Sequence, residues 1–445
     1  MTESRRDAWV AFSIGLSVRL AVVALARGRF PPVEDGRYYD LLARRLASGA
    51  GYTWLWPDGV VTYAAHYPVG YPGILAAAYT AFGPSDTVAM VVNALLGAAS
   101  VYAAHRLVDR PDGPRWRPLA AALVVALHPA LVPYTAALMT EGVTASLLLV
   151  AIAIANRARV PGDRGWTLLA AGIVVGGATL VRPQSLLLAP VLGALAAPAS
   201  AAVSQRFARA AGVTAIALAC VAPWTFRNCV RMRRCALVSV NGGWNLLIGT
   251  TTTTGGWEPV TVPPPCAAVW DEAGKDACFR RAAYRSILSA PGPWVARAPA
   301  KVAMTLDYFG AGPWYLHASN RDVFGDRAKV ALQVIETIAS RLLLLAALVA
   351  CARLPGRRPQ VRGIVSLVGA VAAVTVHGWL GYAAISISFA LLGGRGAMRA
   401  PMAAGCAAAA IAATALVHAI FFGAGRYGLL VAPLVGALAF ARSKP

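Results

Sequence analysis

The sequence is poor in charged residues. Asp, Glu, Lys and Arg together make up 13% of its 445 residues, whereas soluble proteins carry about 25%. Acidic residues are the scarcer class, with 19 Asp and Glu against 41 Lys and Arg, and 58% of the residues are hydrophobic. This composition excludes a soluble globular domain and predicts an all-α polytopic membrane protein.

Other absences exclude further classes of protein. The basic residues lie in short clusters between apolar runs and form no single stripe, which argues against binding of nucleic acid. The histidines show no metal-ligand spacing, so no dedicated zinc site is expected, although an acidic pair in a loop could bind Mg²⁺ weakly. The two halves show no convincing repeat of the kind that is typical of transporters.

Apolar runs of about 17 to 25 residues predict a bundle of about 12 transmembrane helices, within a range of roughly 11–13. Two boundaries are weak, because Pro183 interrupts one long apolar stretch and residues 361–392 could form a single tilted span. The predicted spans are 8–27, 86–106, 117–134, 138–156, 165–181, 184–199, 207–226, 329–353, 361–376, 377–392, 400–421 and 426–441.

Basic residues give the orientation. With the N-terminus in the cytoplasm, every short basic loop lies inside, as the positive-inside rule requires. These loops are 5–6, 106–117, 157–164, 206–209, 353–362 and 395–399, with Arg442 and Lys444 in the tail. Two long polar segments, 28–85 and 227–328, then lie outside. The chain divides accordingly into an N-terminal core (1–226), an outer segment (227–328) and C-terminal helices (329–445).

The first outer segment contains two predicted interfacial elements. An amphipathic helix with Tyr38, Leu41, Leu42 and Leu46 on one stripe ends at Ser48-Gly49. A second apolar stretch, 71–82, is too short to span and is expected to be interfacial or re-entrant.

Four cysteines lie in the second outer segment, where an oxidising compartment would allow three pairings. Short loops favour Cys229 with Cys235 and Cys266 with Cys278.

Carboxylates at the outer face are the candidates for acid–base chemistry. Glu34 and Asp35 follow two prolines just beyond the first span, where a carboxylate can act as general base, although ordinary solvated acids also occur in such loops. Glu141 stands at the outer end of a predicted span. An ionisable group there is costly, which favours a functional role.

Arginines at the same face are candidate phosphate ligands. Arg182, Arg227 and Arg426 each lie at the outer end of a predicted span, and guanidinium groups bind phosphate bidentately. The alternative for each is contact with lipid headgroups. A glycine-rich stretch, 240–257, is predicted to be a hydrogen-bonding loop that could receive a sugar on Trp244 or Trp257. It lacks the lysine of a P-loop, which argues against nucleotide binding.

Taken in order, these elements resemble the GT-C class of integral-membrane glycosyltransferases, and most closely the bacterial members of glycosyltransferase family 39, the dolichyl-phosphate-mannose–protein mannosyltransferase-like group. The matching elements are Asp35-Gly36-Arg37-Tyr38-Tyr39, His66-Tyr67-Pro68, Thr140-Glu141, Arg182-Pro183, Trp224-Thr225-Phe226-Arg227-Asn228, Asn241-Gly242-Gly243-Trp244-Asn245 and Arg426-Tyr427. Gly36 departs from a paired-acid pattern, so a second acid would have to be Glu34.

The resemblance implies a GT-C-like bundle with interfacial helices in the first outer loop and a large outer loop in the second half. It implies transfer of a sugar, with inversion, from a polyprenyl-phosphate donor to a hydroxyl acceptor, with no certain cofactor. The site would face the periplasm or cell exterior from a bacterial cytoplasmic membrane. A transporter or flippase of lipid-linked saccharides is the alternative.

The resemblance also implies roles for named residues. Asp35 would be the base, supported by Glu34 and Glu141, while Arg182, Arg227 and Arg426 would bind the donor phosphate. The implied substrate-binding residues are Tyr38, Tyr39, His66, Tyr67, Asn228, Asn241, Trp244, Asn245 and Tyr427.

Overall fold

The computed structural model describes residues 3–111, 113–159, 165–307 and 310–442, and these are mostly helical. The predicted basic residues Arg164 and Lys444 lie outside the described residues. The helices of the N-terminal core are α1 Glu3–Ala26, α2 Asp35–Ala47, α3 Gly70–Phe82, α4 Asp86–Val108, α5 Trp116–Ala126, α6 Thr140–Arg157, α7 Trp166–Val181, α8 Leu188–Leu195 and α9 Val203–Arg231.

The remaining helices are α10 Gly242–Thr251, α11 Pro264–Ala267, α12 Glu272–Ser289, α13 Pro291–Ala296, α14 Ala298–Leu306, α15 Ala311–Ser319, α16 Asp326–Ala352, α17 Pro359–Thr375, α18 Gly378–Ala390, α19 Gly393–Arg399, α20 Met402–Ile420 and α21 Ala432–Phe440. Short 3₁₀ helices occupy Pro133–Ala136, Pro183–Leu187 and Gly425–Leu430. Strands β1 (Thr53–Leu55) and β2 (Val61–Tyr63) pair antiparallel in a hairpin that the sequence analysis did not predict.

Six described helices are long and apolar enough to cross a membrane, namely α1, α4, α6, α9, α16 and α20. The predicted all-α polytopic class is therefore confirmed. Shorter apolar helices occupy the other predicted span positions, so the count of about 12 spans stays a prediction.

One predicted span, 117–134, is wrong in its extent. Helix α5 ends at Ala126, and irregular backbone and a 3₁₀ turn follow. Pro129 disfavours the helical conformation of the residue before it, which explains the early end. The freed carbonyls of Val125 and Ala126 accept hydrogen bonds from the buried guanidinium of Arg19, at 3.0 and 3.1 Å. Arg19 thus caps a helix that stops inside the bundle.

The helices are interrupted at both of the span boundaries that were uncertain from the sequence. Arg182 has extended backbone between α7 and the 3₁₀ helix at Pro183. Helices α17 and α18 are separated at Val376 and His377 and pack on each other, so residues 361–392 form two helices and not one tilted span.

The two kinds of loop gather at opposite ends of the bundle. Short basic loops contact one another, since Arg110 donates to the Arg442 carbonyl at 2.8 Å and Arg159 to the Ala400 carbonyl at 3.0 Å. The long segments 28–85 and 227–328 meet at the other end through hydrogen bonds from Ala65 and His66 to Glu272.

One local prediction within the long segments is confirmed and one is wrong. The predicted helix is present as α2 and has Ser48 as its C-cap; Leu42 of its predicted apolar stripe is buried, while Tyr38 and Leu41 are 47% and 41% exposed. The predicted glycine-rich loop is largely helix α10, whose Leu246, Leu247 and Ile248 are buried. The structure joins Cys229 to Cys235 and Cys266 to Cys278, and the latter pair links α11 to α12.

Candidate active site

Asp35 is the first residue of α2, where a carboxylate also faces the positive end of the helix dipole. Glu34, just before it, has φ 51° and ψ −134°, a strained backbone for a residue other than glycine. A Cβ on Gly36 would lie 2.7 Å from the Tyr315 hydroxyl oxygen and 3.1 Å from the Leu138 carbonyl oxygen. Close packing therefore explains why no second acid follows Asp35.

The Asp35 carboxylate has a partner on each oxygen. Arg426 Nη1 donates to Oδ2 at 2.8 Å, and the Tyr67 hydroxyl donates to Oδ1 at 3.2 Å. Burial alone would raise the pKa of Asp35, but the charge of Arg426 and the hydrogen bonds from Arg426 and Tyr67 outweigh it, so the pKa lies below its ordinary value of 3.8. Asp35 is therefore ionised at neutral pH.

Behind Asp35, positively and negatively charged side chains follow one another toward the interior of the bundle. Arg426 Nε lies 3.5 Å from Glu141 Oε1, and the same oxygen accepts a hydrogen bond of 2.8 Å from Arg182 Nη1. The other Glu141 oxygen accepts the Tyr134 hydroxyl at 2.7 Å. Two carboxylates and two guanidiniums thus form one line with no net charge. The inner members of the line are the more buried, because the Glu141 and Arg182 side chains are 1% and 15% exposed while Asp35 and Arg426 are 32% and 25% exposed.

Tyr427 joins the two arginines. The guanidinium carbons of Arg182 and Arg426 lie 4.9 and 5.1 Å from the centre of its ring, and His418 stacks on the ring at 4.1 Å. Trp244 packs against the apolar cluster that contains Tyr427. The aromatic ring keeps both guanidinium groups in fixed positions.

Aromatic side chains surround Tyr67 on the exposed side of Asp35. Tyr38 stacks on its ring at 5.3 Å, while Tyr39 and His66 meet its edge or face at 5.1 and 5.0 Å. Trp54 lies 5.9 Å from Tyr38 and was not among the predicted site residues. Such a surface suits the apolar face of a sugar ring.

Most of the predicted residues converge here. The structure brings together Asp35, Glu141, Arg182, Arg426, Tyr38, Tyr39, His66, Tyr67, Trp244 and Tyr427. Glu34 is exposed, and its side chain makes no hydrogen bond to any part of the chain that the structure describes.

Arg227 lies apart from this group, and its role as a ligand of the donor phosphate stays a prediction. Its guanidinium donates to the carbonyls of Ala64 and Tyr52, at 2.8 and 2.9 Å, and lies over three aromatic rings. The adjacent Asn228 is buried and donates to carbonyls of its own segment. These contacts hold the first outer segment against the second.

Two other predicted substrate-binding residues, Asn241 and Asn245, differ in their hydrogen bonds. Asn241 accepts a hydrogen bond from the Ser239 hydroxyl at 3.0 Å. The Asn245 side chain makes no hydrogen bond within the described ranges.

The sequence analysis missed Tyr134, Trp54 and Glu272. Tyr134 follows a proline inside a predicted span, and no pattern distinguishes it from a packing residue. Glu272 contacts residues more than 200 positions away, so its partners could not be identified from the sequence.

No group of three His, Cys, Asp or Glu residues that could hold a metal ion occurs in the parts of the chain that the structure describes. Each oxygen of the Asp35 carboxylate accepts one of the described hydrogen bonds, from Tyr67 and from Arg426.

Comparisons with known proteins extend this description. The sequence profile described as dolichyl-phosphate-mannose-protein mannosyltransferase matches residues 66–226. No curated protein matches the chain.

Several solved structures resemble the whole chain at low identity. ArnT from Cupriavidus metallidurans, solved with undecaprenyl phosphate, is 16% identical, with 97% of this chain and 77% of that chain covered and a TM-score of 0.40. The Archaeoglobus fulgidus oligosaccharyltransferase, solved with a tethered acceptor peptide, is 12% identical, with 97% and 49% covered and a TM-score of 0.48. This chain thus spans about half the length of the archaeal enzyme. Residues 66–226 are thus similar to the dolichyl-phosphate-mannose-protein mannosyltransferase family, in agreement with the resemblance identified from the sequence.

Proposed function

We propose that this chain is a membrane glycosyltransferase that moves a sugar from a polyprenyl-phosphate donor to a hydroxyl acceptor. The observation that carries the proposal is the line Asp35–Arg426–Glu141–Arg182, which places an exposed, ionised carboxylate beside fixed guanidinium groups at one end of a membrane bundle. The profile match over residues 66–226 supports the same class of reaction.

In the proposed step the acceptor oxygen attacks the anomeric carbon while the bond from that carbon to the phosphate oxygen breaks. The acceptor proton goes to Asp35, and the lipid phosphate leaves with the electron pair. Attack from the face opposite the phosphate inverts the anomeric centre. A general base of this kind contributes typically about 10²–10⁴-fold.

Arg426 would pair first with Asp35 and then, once the donor binds, with the donor phosphate. In the structure it neutralises Asp35. A donor phosphate competes for the same guanidinium, and an Asp35 that shares its partner becomes a stronger base. Arg182 lies behind it, held by Glu141, and adds a second positive charge near the developing phosphate.

The site would face the periplasm or cell exterior. Supporting this, the short basic loops lie at the opposite end of the bundle, which the positive-inside rule assigns to the cytoplasm. The lipid tail of the donor would lie among the apolar helices, in a bacterial cytoplasmic membrane.

The test is transfer of radiolabelled sugar from polyprenyl-phosphate donors by membranes that contain wild type, Asp35→Asn or Glu34→Gln. We expect wild-type transfer, a loss of about 10²–10⁴-fold in Asp35→Asn, and far smaller loss in Glu34→Gln, because Glu34 is exposed and lacks described side-chain contacts.

Full transfer by Asp35→Asn at normal expression would remove Asp35 from the base role. Folded wild type that binds the donors yet transfers from none of them would favour the transporter or flippase.

A further inference from the structure

Residues 64–67, here called the strap, connect β2 to the segment that leads into α3 and end at Tyr67. The strap has no regular secondary structure, so its polar backbone groups need partners elsewhere. The Ala64 carbonyl accepts from Arg227, the Ala65 carbonyl from the Val240 amide at 2.9 Å, and the Tyr67 carbonyl from the Tyr52 hydroxyl at 2.8 Å. Most of these anchors come from the second outer segment.

Glu272 supplies the remaining anchors. One oxygen of its carboxylate accepts the amides of Ala65 and His66, at 2.5 and 2.8 Å, and the other accepts Trp54 Nε1 at 2.5 Å. No arginine, lysine or histidine forms an ion pair with Glu272 in the described parts of the chain. Its charge is therefore satisfied by three N–H groups of the first outer segment, and hydrogen bonds to an ionised acceptor are the stronger kind.

The helix that carries Glu272 is itself fixed. The Cys266–Cys278 disulfide holds α12 to α11, and Asp271 caps its first turn by accepting the Gly274 amide. One turn beyond Glu272, Asp276 accepts the amides of Gly243 and Trp244, at 2.7 and 3.0 Å. Helix α12 thus presents two carboxylates, four residues apart, one to the strap and the other to the N-terminus of α10.

We propose that Glu272 is a positioning residue for the transfer reaction: by holding the strap it keeps the Tyr67 hydroxyl on Asp35. This inference rests on the proposed function. Glu272 is not itself a catalytic residue, because its contacts are with the strap and Trp54 and not with Asp35. A displacement of about 1 Å at a catalytic group can cost about 10²-fold in rate.

The chemistry of the contact identifies a precise substitution. Glu272→Gln preserves size but replaces one acceptor oxygen by an NH₂ donor, which would then face either Trp54 Nε1 or the two strap amides. In either orientation the new NH₂ group faces another N–H donor. The strap amides or the Trp54 indole then lose their hydrogen-bond acceptor.

The experiment compares transfer by Glu272→Gln, Tyr67→Phe and the double variant in purified full-length protein. We expect Glu272→Gln to lower kcat by about 10-fold with little change in donor KM, which corresponds to about 1.4 kcal/mol in the activation free energy. In the Tyr67→Phe background the same substitution should have almost no further effect, since the group through which it acts is gone.

Asp276→Asn is the matched control. It changes the same kind of contact on the same helix but at the N-terminus of α10, so in the double variant the fold-losses of Asp276→Asn and Tyr67→Phe should multiply. If the fold-loss in kcat of the Glu272→Gln, Tyr67→Phe double variant equals the product of the two single losses, the proposal is overturned.

Hydrogen exchange gives an answer that does not depend on transfer. In Glu272→Gln the amides of Ala65 and His66 should exchange faster than in wild type, while those of Gly243 and Trp244 should not change. Unchanged exchange at the strap would overturn the positioning role, whether or not the wild type transfers sugar. An inactive wild type would contradict only the proposed function.

Discussion

Arg426 and Asp35 lie 391 positions apart in the chain, yet the guanidinium of one donates a hydrogen bond of 2.8 Å to the carboxylate of the other. The pair joins the start of α2 to the 3₁₀ helix near the C-terminus. It brings the candidate base and a candidate phosphate ligand into direct contact, so the protonation of Asp35 depends on Arg426.

The first prediction concerns pH. The pKa of Asp35 is lowered in the folded protein, so the base stays ionised as the pH falls, until it reaches values below 3.8. In Arg426→Gln the remaining influence of burial raises the pKa, and the acid limb of kcat should move to higher pH. His66 and Tyr67 also face the carboxylate and are unchanged in this variant. The kcat–pH profiles of the two proteins check this, and coincident acid limbs would contradict it.

The lowered pKa also links Asp35 to stability. A carboxylate with a depressed folded-state pKa contributes stability above its unfolded pKa and loses it as the pH falls through the folded value. The Asp35–Arg426 pair should therefore stabilise the fold at neutral pH, and the loss of thermal stability in Arg426→Gln should be largest there and shrink as the pH falls through the folded-state pKa of Asp35.

The second prediction concerns the buried pair of Glu141 and Arg182. Glu141→Ala would leave Arg182 without its carboxylate, and loss of one partner of a buried pair costs about 3–5 kcal/mol. We expect a marked fall in the temperature of half-inactivation in detergent. Glu3→Gln is the control, because the Glu3–Arg115 pair is 76% and 60% exposed and such solvent-screened pairs contribute little to stability. Equal losses in the two variants would contradict the buried role.

The third prediction separates Arg227 from Arg426. Arg227→Gln removes hydrogen bonds to the strap and to Tyr52, so transfer should fall while the affinity for polyprenyl phosphate stays at the wild-type value. Arg426→Gln should weaken that affinity by about 10- to 100-fold, the range expected for a charged hydrogen bond. Binding of radiolabelled polyprenyl phosphate measures both. A lower affinity of Arg227→Gln for polyprenyl phosphate would contradict this prediction and support Arg227 as a phosphate ligand.

The fourth prediction concerns the disulfides. Removing Cys266–Cys278, which closes a separation of 12 residues, by Cys266→Ser with Cys278→Ser should cost about 3 kcal/mol by the loop-entropy relation. Removing Cys229–Cys235, with a separation of 6, should cost about 2 kcal/mol. Thermal inactivation compares them. Cys220→Ser serves as the control because Cys220 is a free thiol, and a loss as large as that of the pairs would contradict the prediction.

The sequence by itself determined the class of the protein and much of its site. Low charge and long apolar runs require a helical membrane protein, because only internally hydrogen-bonded backbone is stable in lipid. Basic loops fixed which segments share a face. The cost of an ionisable group at the end of a span singled out Glu141, the position beyond the first span singled out Asp35, and guanidinium chemistry singled out Arg182 and Arg426. The structure brings these four residues into one line.

Only the tertiary structure decided what the polar residues between the spans do. Arg227 and Arg426 look alike in the sequence, each an arginine at the end of a span, but one holds the strap and the other contacts Asp35. Glu272 is one acid in a long polar segment until folding brings α12 against residues 206 positions away. Helix periodicity and hydropathy are local properties of the chain, whereas a hydrogen bond between distant segments depends on how the helices pack, and that information is distributed over the whole sequence.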